Sequence, residues 1–181
     1  ALYVAVRNSA RPLGLAFTVG MRLPAYLSGS GKAMLAQLPA DEIRRRFTGQ
    51  LSTRLTHKGP RDVESLQREL ALTRKRGYSI DDEAVREGVY SFGAPVFDAS
   101  GGAVAAVAVC INKAQLGSDR QHPIVTQPRR LEYDAGGVAA LGTVRERHVP
   151  LHGPAHVGII AVLTGSSTKD ADTGARSLPG R

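Results

Sequence analysis

The chain of 181 residues has one cysteine, no tryptophan, and only five tyrosines and four phenylalanines. A lone cysteine, Cys110, cannot form an internal disulfide, and it excludes a cysteine-only metal cluster. Scarce aromatic side chains leave few platforms on which single-stranded nucleic acid could stack. No apolar run approaches the ~20 residues of a membrane span, and the sequence does not begin with the layout of a signal peptide. We therefore expect a cytoplasmic protein that does not contact a membrane.

The sequence also lacks the usual patterns of a metal site or a catalytic nucleophile. His148, His152 and His156 are four residues apart, which would align them on a helix. Pro150 and Pro154 make a helix implausible there. No Gly-x-Ser-x-Gly elbow is present, and Cys110 has no histidine paired with it in context. We expect no catalytic residue, no metal and no cofactor, and hence a protein that is not an enzyme.

Charge is the strongest compositional bias, with a formal net charge of +8 at pH 7. Such a charge invites a nucleic-acid-binding interpretation. The basic clusters at 44–46, 74–76 and 129–130 are spread along the chain, however, and the first two fall where helices are predicted to end. We interpret them as solvated helix faces. A basic module that binds nucleic acid directly remains an alternative, which a salt-dependent binding slope would identify.

Two neighbouring β-runs, 89–96 and 103–111, carry small side chains at alternate positions. Because strand side chains alternate with a period of two, Val89, Ser91 and Gly93 share one face of the first run, as Ala108 and Cys110 do in the second. A strand that is apolar on both sides is buried on both sides. Small residues on one side imply closely packed backbone or a cavity. The pattern predicts a hairpin with room for a ligand on one face.

The remaining pattern predicts an α+β order. Turn, cap and periodicity signals give a first hairpin and three helices, then weaker signals toward the end. In chain order these are a hairpin of 1–7 and 13–19, helices at 32–38, 40–47 and 62–76, and a closing helix at 131–141. From residue 143 the chain is rich in Gly, Pro, Ser and Thr, interrupted only by an apolar run at 157–163. We divide the chain into a domain of residues 1–142 and a low-complexity, flexible tail of residues 143–181.

A turn of glycine and serine before the first helix is the main chemical candidate. The backbone N–H groups of Gly29, Ser30 and Gly31 can point at an anion, and a small carboxylate would fit there. A nucleotide P-loop is excluded, because Tyr26 and Ala33 stand where that motif needs Gly and Ser or Thr. A plain helix cap is the alternative for the turn. The acidic stretch that begins at Asp81 is either an acid–base or cation site or a solvated turn.

Several separated segments together resemble a known family. LPAYLSGSGKAMLA at 23–36, GYSIDDE at 77–83, EGV at 87–89 and APVFD at 94–98 are similar to the effector-binding domain of IclR-type transcriptional regulators. The match covers roughly residues 1–111. The resemblance implies a GAF-like domain, with an antiparallel sheet flanked by helices, that binds small organic acids and forms homodimers or homotetramers. It also implies a regulator and not a catalyst.

The resemblance assigns a ligand pocket to positions that the strand pattern also singles out. The implied ligand-binding residues are Gly29, Ser30, Gly31, Asp81, Val89, Ser91, Ala108 and Cys110. Some relatives place hydroxyls on the last strand, where this chain has Ala108 and Cys110. We expect a small carboxylic-acid effector, with aromatic and hydroxy acids as candidates.

The family's winged helix–turn–helix precedes this domain, whereas the present sequence starts at the first predicted strand. We therefore expect operator DNA to be bound only through a DNA-binding domain that is not present in this chain. A rival is a GAF-like small-molecule enzyme such as a reductase of methionine sulfoxide. A single cysteine cannot complete the disulfide cycle that such an enzyme needs.

Overall fold

The computed structural model describes residues 1–7, 17–49 and 51–115, together with the backbone of 131–132 and 157–162. Within these residues an α+β architecture is present, as expected. The strands are β1 Leu2–Arg7, β2 Ser79–Asp82, β3 Val89–Phe97, β4 Ala103–Asn112, β5 Leu131–Glu132 and β6 Val157–Val162; the helices are α1 Gly29–Leu35, α2 Ala40–Arg46 and α3 Val63–Arg76, with a short 3₁₀ helix at Lys113–Gln115. Over the described ranges, no helix is long and apolar enough to cross a membrane.

The six strands form one sheet in the order β1-β6-β4-β3-β2, with β5 beside β3. Every pairing is antiparallel except the short one between β3 and β5. The centre of the sheet is the predicted hairpin of β3 and β4, and the Asp98 carboxylate orders its turn. That carboxylate accepts hydrogen bonds from the backbone N–H groups of Ser100 and Gly102 at 2.9 Å. The prediction of an antiparallel sheet flanked by helices is confirmed.

Helix α1 lies across the central strands β3 and β4. It begins after Ser28, whose hydroxyl caps it, and Ala33 and Met34 pack against Ala106 of β4. A second core joins α1 to α2 and α3, and Leu27, Ile43 and Leu66 in it are completely buried. Helices and sheet are therefore held together by apolar contacts along α1, the helix that carries the predicted anion turn.

Helix α3 has the boundaries that its sequence signals indicate. The Asp62 side chain accepts a hydrogen bond from Ser65 N, and the Ser65 hydroxyl completes a capping box. Val63, Leu66 and Leu70 form the buried stripe. Gly77 ends the helix with φ of 82°, a left-handed conformation that glycine adopts without steric cost.

The chain end differs from its sequence interpretation. Val157–Val162, which we included in a low-complexity tail, form β6 between β1 and β4, with Leu2 opposite Val162 and Cys110 opposite Val157. The interpretation missed this strand because a six-residue apolar run without neighbours shows no period, whereas the open edges of β1 and β4 give it partners. Residues 143–156 and 163–181 lie outside the described part of the chain, and the boundary at residue 142 stays a prediction.

Two further expectations also differ from the structure. Leu131–Glu132 were expected to begin a closing helix, but they pair with Val96 and Phe97 as a strand; residues 133–141 lie outside the described part. Of the predicted first hairpin, Leu2–Arg7 form β1 and residues 17–19 form no strand, while residues 8–16 lie outside the described part. Val19 is 66% exposed, so it does not share a buried face with Phe17, which is 3% exposed.

Candidate functional site

A row of polar side chains crosses three strands at the buried face of the sheet. Asp81 of β2 lies opposite Ser91 of β3, which lies opposite Cys110 of β4. The Ser91 hydroxyl donates to Asp81 Oδ2 at 3.1 Å, and the N–H of Ala84 donates to Asp81 Oδ1 at 2.7 Å. Asp81, Ser91 and Cys110 are each 3% exposed or less. The structure thus brings together three predicted site residues that are up to 29 positions apart in the sequence.

The start of α1 packs directly against the neighbouring row of small residues on the sheet. Gly93 of β3 lies opposite Ser79 of β2 and Ala108 of β4. A Cβ atom on Gly93 would lie 2.4 Å from the carbonyl of Gly29, and the Ser79 hydroxyl donates a hydrogen bond to that same carbonyl. At Gly93 the absence of a side chain therefore serves close packing of helix on strand, not space for a ligand.

The predicted anion turn forms the first three residues of α1. The N–H of Gly31 donates to the Ser28 hydroxyl at 3.1 Å, and a Cβ on Gly31 would lie 2.3 Å from the carbonyl oxygen of Ala25. Gly31 thus acts in capping and packing, as the alternative interpretation of this turn stated. Ser30 is different, because it is fully buried and its hydroxyl has no hydrogen-bond partner among the described residues.

Tyr3 of β1 belongs to the same interior region, although the sequence interpretation did not include it. Burial raises the pKa of the Tyr3 phenol, and the nearby hydroxyls of Ser30 and Ser28 oppose that rise. The phenol and the Ser30 hydroxyl are close without meeting hydrogen-bond geometry. Tyr3 also packs with Val89 and Cys110. Nothing local in the sequence signals this role, because Tyr3 is held there by the pairing of β1 with β6 and by backbone hydrogen bonds with Gly20 and Met21.

Lys32 is the second residue that the sequence interpretation left out. It is 3% exposed, and its Nζ donates to Glu69 Oε2 of α3 at 2.8 Å. The sequence held a signal for Lys32, because this lysine stands directly before the apolar run 33–36. Lysine is almost never fully buried unless it is paired, so a lysine that is buried together with such a run needs a partner. The charge of Lys32 acts on the Asp81 carboxyl, although the two residues come from different elements.

Burial sets the protonation behaviour of this region. It raises the pKa of Asp81 from 3.8 to about 6, against the opposing effects of the Lys32 charge and of the hydrogen bonds from Ala84 and Ser91. Burial also raises the pKa of the Cys110 thiol to about 12, and the Asp81 charge adds to this shift. A thiol of such high pKa is almost entirely protonated at neutral pH, so its side chain behaves as an apolar wall.

No group of three or more histidine, cysteine, aspartate or glutamate side chains that could hold a metal ion occurs within the described residues. His148, His152 and His156 lie outside that part of the chain.

The fold and this buried polar region define an α+β domain with a small-residue sheet face beneath a capped helix. The family model described as "Bacterial transcriptional regulator IclR C-terminal" matches residues 1–130. The chain therefore belongs to the IclR family of bacterial transcriptional regulators, through the C-terminal domain of that family, and the predicted resemblance is confirmed.

Individual relatives agree with this assignment. The chain is 37% identical over 102 residues to the HTH-type transcriptional repressor AllR of Klebsiella pneumoniae, covering 56% of this chain and 38% of that protein. It is 34% identical over 102 residues to the transcriptional repressor IclR of Escherichia coli, covering 56% and 37%. The crystal structure of the Agobacterium tumefaciens repressor BlcR is similar, with a TM-score of 0.55 and 40% identity over 57% of this chain and 42% of that one. The chain thus spans well under half the length of these relatives, all of which are named as repressors and not as enzymes.

Proposed function

We propose that this chain is the ligand-sensing domain of an IclR-type transcriptional regulator, and that it binds a small organic carboxylic acid. The observation that carries the proposal is the Ser30 hydroxyl, which is fully buried without a hydrogen-bond partner in the described residues. A buried unsatisfied hydroxyl costs roughly 1–3 kcal/mol, and such groups are rare in folded proteins. A ligand atom at Ser30 would remove that cost.

The proposed pocket lies between the start of α1 and the row of Asp81 and Ser91. The carboxylate of the acid would accept hydrogen bonds from the Ser30 hydroxyl and from the amides of Gly29 and Ser30. Gly31 would support this turn through its cap and would not bind the acid directly. The apolar wall would consist of Val89, Ala108 and Cys110, which are each at most 3% exposed.

Asp81 would face the other end of the acid. Two carboxylates that lie side by side repel each other, so Asp81 would accept a hydrogen bond from a ligand hydroxyl or would be protonated. The raised pKa of Asp81, about 6, favours the protonated form more than in water. This arrangement makes hydroxy acids the preferred ligands.

Two matched pairs of acids test the pocket in the full chain: 4-hydroxybenzoate with benzoate, and lactate with propionate. In a titration calorimeter we expect at least one hydroxylated acid to bind more tightly than its unsubstituted partner. Asp81→Ala should weaken the binding of that acid by about 1.5–3 kcal/mol, since a hydrogen bond to a charged group is worth about that much. The variant should then no longer prefer the hydroxylated acid over its unsubstituted partner. Ser91→Leu should block binding by volume.

The control variant is Ser100→Ala, at an exposed turn position away from the pocket. It should bind like the parent. An acid that binds Asp81→Ala and Ser91→Leu as tightly as the parent would place the ligand elsewhere. If none of the four acids raises the melting temperature of the parent at millimolar concentration, the proposed ligand class is wrong, because a ligand at 100 times its dissociation constant adds about 2.7 kcal/mol.

We further propose that this domain forms a homodimer or homotetramer, and that the whole protein acts on operator DNA through a separate DNA-binding domain. Membership in the family supports both statements. Sedimentation velocity at micromolar concentration tests the assembly, and a purely monomeric boundary would contradict it. For the chain by itself we expect only weak, sequence-independent DNA binding, since its predicted basic clusters are dispersed. A sequence-specific, submicromolar complex at physiological salt would overturn that expectation.

A further inference from the structure

A groove beside α3 is lined by Arg76, a cation that has no ion pair among the described residues. It has a volume of about 310 Å³ and lies between α3, β2 and the loop before α3; its lining residues are Lys32, Lys58, Gly59, Glu69, Leu72, Arg76, Ile80, Asp82 and Ala84. The proposed effector pocket is built from different residues. Lys32 links the two places, because it lines the groove and its charge acts on Asp81. The groove is therefore a separate place on the domain.

The charges along the groove are paired, with one exception. Lys32 pairs with Glu69 at 2.8 Å, and Asp82 pairs with Lys113 at 2.5 Å. Lys58 lies 3.6 Å from a Glu83 carboxylate oxygen. Arg76 has no ion pair with any residue in the described part of the chain. The positive charge of Arg76 is thus not neutralised by an ion pair, and a ligand with one negative charge would neutralise it.

The geometry of Arg76 adds a second, independent observation. The guanidinium carbon lies over the Tyr78 ring, 5.4 Å from the ring centroid. Stacking uses the flat face of a guanidinium and leaves its N–H edge available. The Nε atom on that edge is shielded from solvent, yet it has no hydrogen-bond partner within the described residues. Arg76 also ends α3, where a cation complements the negative end of the helix dipole, but this accounts for its charge and not for the unpartnered buried N–H.

The rest of the lining suits a small organic anion better than an inorganic one. Leu72, Ile80 and Ala84 supply apolar surface beside the charged groups, and Leu72 is 54% exposed although it is a large apolar residue. A volume near 310 Å³ is at the lower end of the range of small-molecule sites, which combine apolar lining with a few convergent polar groups.

We propose that this groove is a second binding site, in which Arg76 forms a two-pronged hydrogen bond to the carboxylate of a small organic monoanion whose apolar part lies on Leu72 and Ile80. The site is independent of the effector pocket, and the proposal holds whether or not the acid proposed there is correct. A planar carboxylate matches the fork of the guanidinium, with Nε and one terminal nitrogen as donors.

The side-chain Nε–H signal of Arg76 in the ¹⁵N-labelled full chain gives a site-specific test, with benzoate and inorganic phosphate as probes. We expect benzoate to shift this signal saturably, with half-saturation at millimolar concentration or below, and phosphate to do so at least tenfold more weakly. Arg76→Gln lacks that signal, so it is read through the backbone amide signals of Leu72 and Ile80, which should show no saturable benzoate shift. Lys75→Gln, an exposed neighbour with the same charge change, should bind as the parent does.

A further variant keeps the test decisive if Arg76→Gln does not fold. Leu72→Glu changes an exposed position, so the fold should survive, and it places a carboxylate at the groove mouth where it competes for Arg76. Benzoate should then bind at least tenfold more weakly. If benzoate leaves the Arg76 signal unmoved, or moves it equally in the parent and in Leu72→Glu, the site does not exist. Tighter binding of phosphate than of benzoate would overturn the assignment to a carboxylate. Ser91→Leu, which is designed to block the effector pocket, should leave the Arg76 response unchanged.

Discussion

Gly29, the first residue of α1, rests with its carbonyl directly against the backbone of Gly93 in β3. A Cβ atom on Gly93 would lie 2.4 Å from the carbonyl carbon and oxygen of Gly29, and 2.7 Å from the Ser79 hydroxyl. Real Cβ atoms do not approach other atoms so closely, so the contact requires glycine at position 93. It fixes how near the start of α1 lies to the row of Asp81 and Ser91, and hence the width of the proposed effector pocket.

We expect Gly93→Ala to destabilise the domain, because the added methyl group must push α1 away from β3. Overpacking of this kind costs about 1–3 kcal/mol, to be measured by urea unfolding. Gly29→Ala is the graded comparison: its Cβ would meet the Ser91 hydroxyl at 3.1 Å, so the loss of unfolding free energy should be smaller. Equal stability of Gly93→Ala and the parent would contradict the close contact.

The Asp81 carboxyl should make the stability of the domain depend on pH. Burial raises its pKa in the folded state to about 6 from 3.8, so the folded state holds more protons than the unfolded state between these values. The contribution of Asp81 is therefore fully present below pH 3.8 and is lost as the pH rises through about 6. The unfolding free energy of the parent minus that of Asp81→Asn should fall by about 2–3 kcal/mol over this window.

Asp98→Asn is the matched control for that experiment. Hydrogen bonds from Ser100 and Gly102 hold the pKa of the Asp98 carboxyl below its usual value, so its contribution has the opposite sign. It is lost as the pH falls, and it should leave the window from pH 4 to pH 6 almost unchanged. A flat difference profile for Asp81→Asn would show that the folded domain does not perturb this carboxyl.

The ammonium group of Lys32 should tune Asp81 from a distance. Its positive charge lowers the pKa of Asp81 against the effect of burial, so Lys32→Met should raise that pKa above about 6. The ¹³C carboxyl signal of Asp81 reports the change directly. The fold should persist, because Glu69 is 36% exposed and its carboxylate can be hydrated after the ion pair is lost. Lys58→Met, which removes a cation near Glu83, should leave the Asp81 titration unchanged.

Truncation should separate β6 from the rest of the tail. A chain that ends at residue 142 lacks Val157–Val162, so the facing edges of β1 and β4 lose their hydrogen-bonded partner. We expect this chain to lose its cooperative thermal transition or to melt at a clearly lower temperature, since unpaired buried backbone groups are costly. A chain that ends at residue 164 keeps β6 and should melt much closer to the parent. Identical melting of all three chains would mean that β6 contributes nothing to the sheet.

Much of the fold could be predicted because its signals are local. Asp62 and Gly77 mark the two ends of α3 through side-chain and backbone preferences that act within one turn. Ser28 caps α1 in the same way, but the helix begins at Gly29 and ends at Leu35, three residues before each predicted end of 32–38. The alternation of small residues in β3 and β4 placed Ser91 and Cys110 on one face, and the observed register confirms it. The family and the α+β class followed from such segments.

The site depends on contacts that no local signal contains. Tyr3 joins the interior because β1 pairs with a strand more than 150 positions later, and Lys32 finds Glu69 because α1 packs on α3. The sequence by itself determined the ends of α3, the strand faces and the family, since each is decided by neighbours within a few residues. Only the tertiary structure decided that the backbone of Gly29 packs against Gly93, that the Ser30 hydroxyl has no hydrogen-bond partner among the described residues, and that 157–162 is a strand. These outcomes depend on packing and pairing between distant segments, which a linear pattern cannot specify.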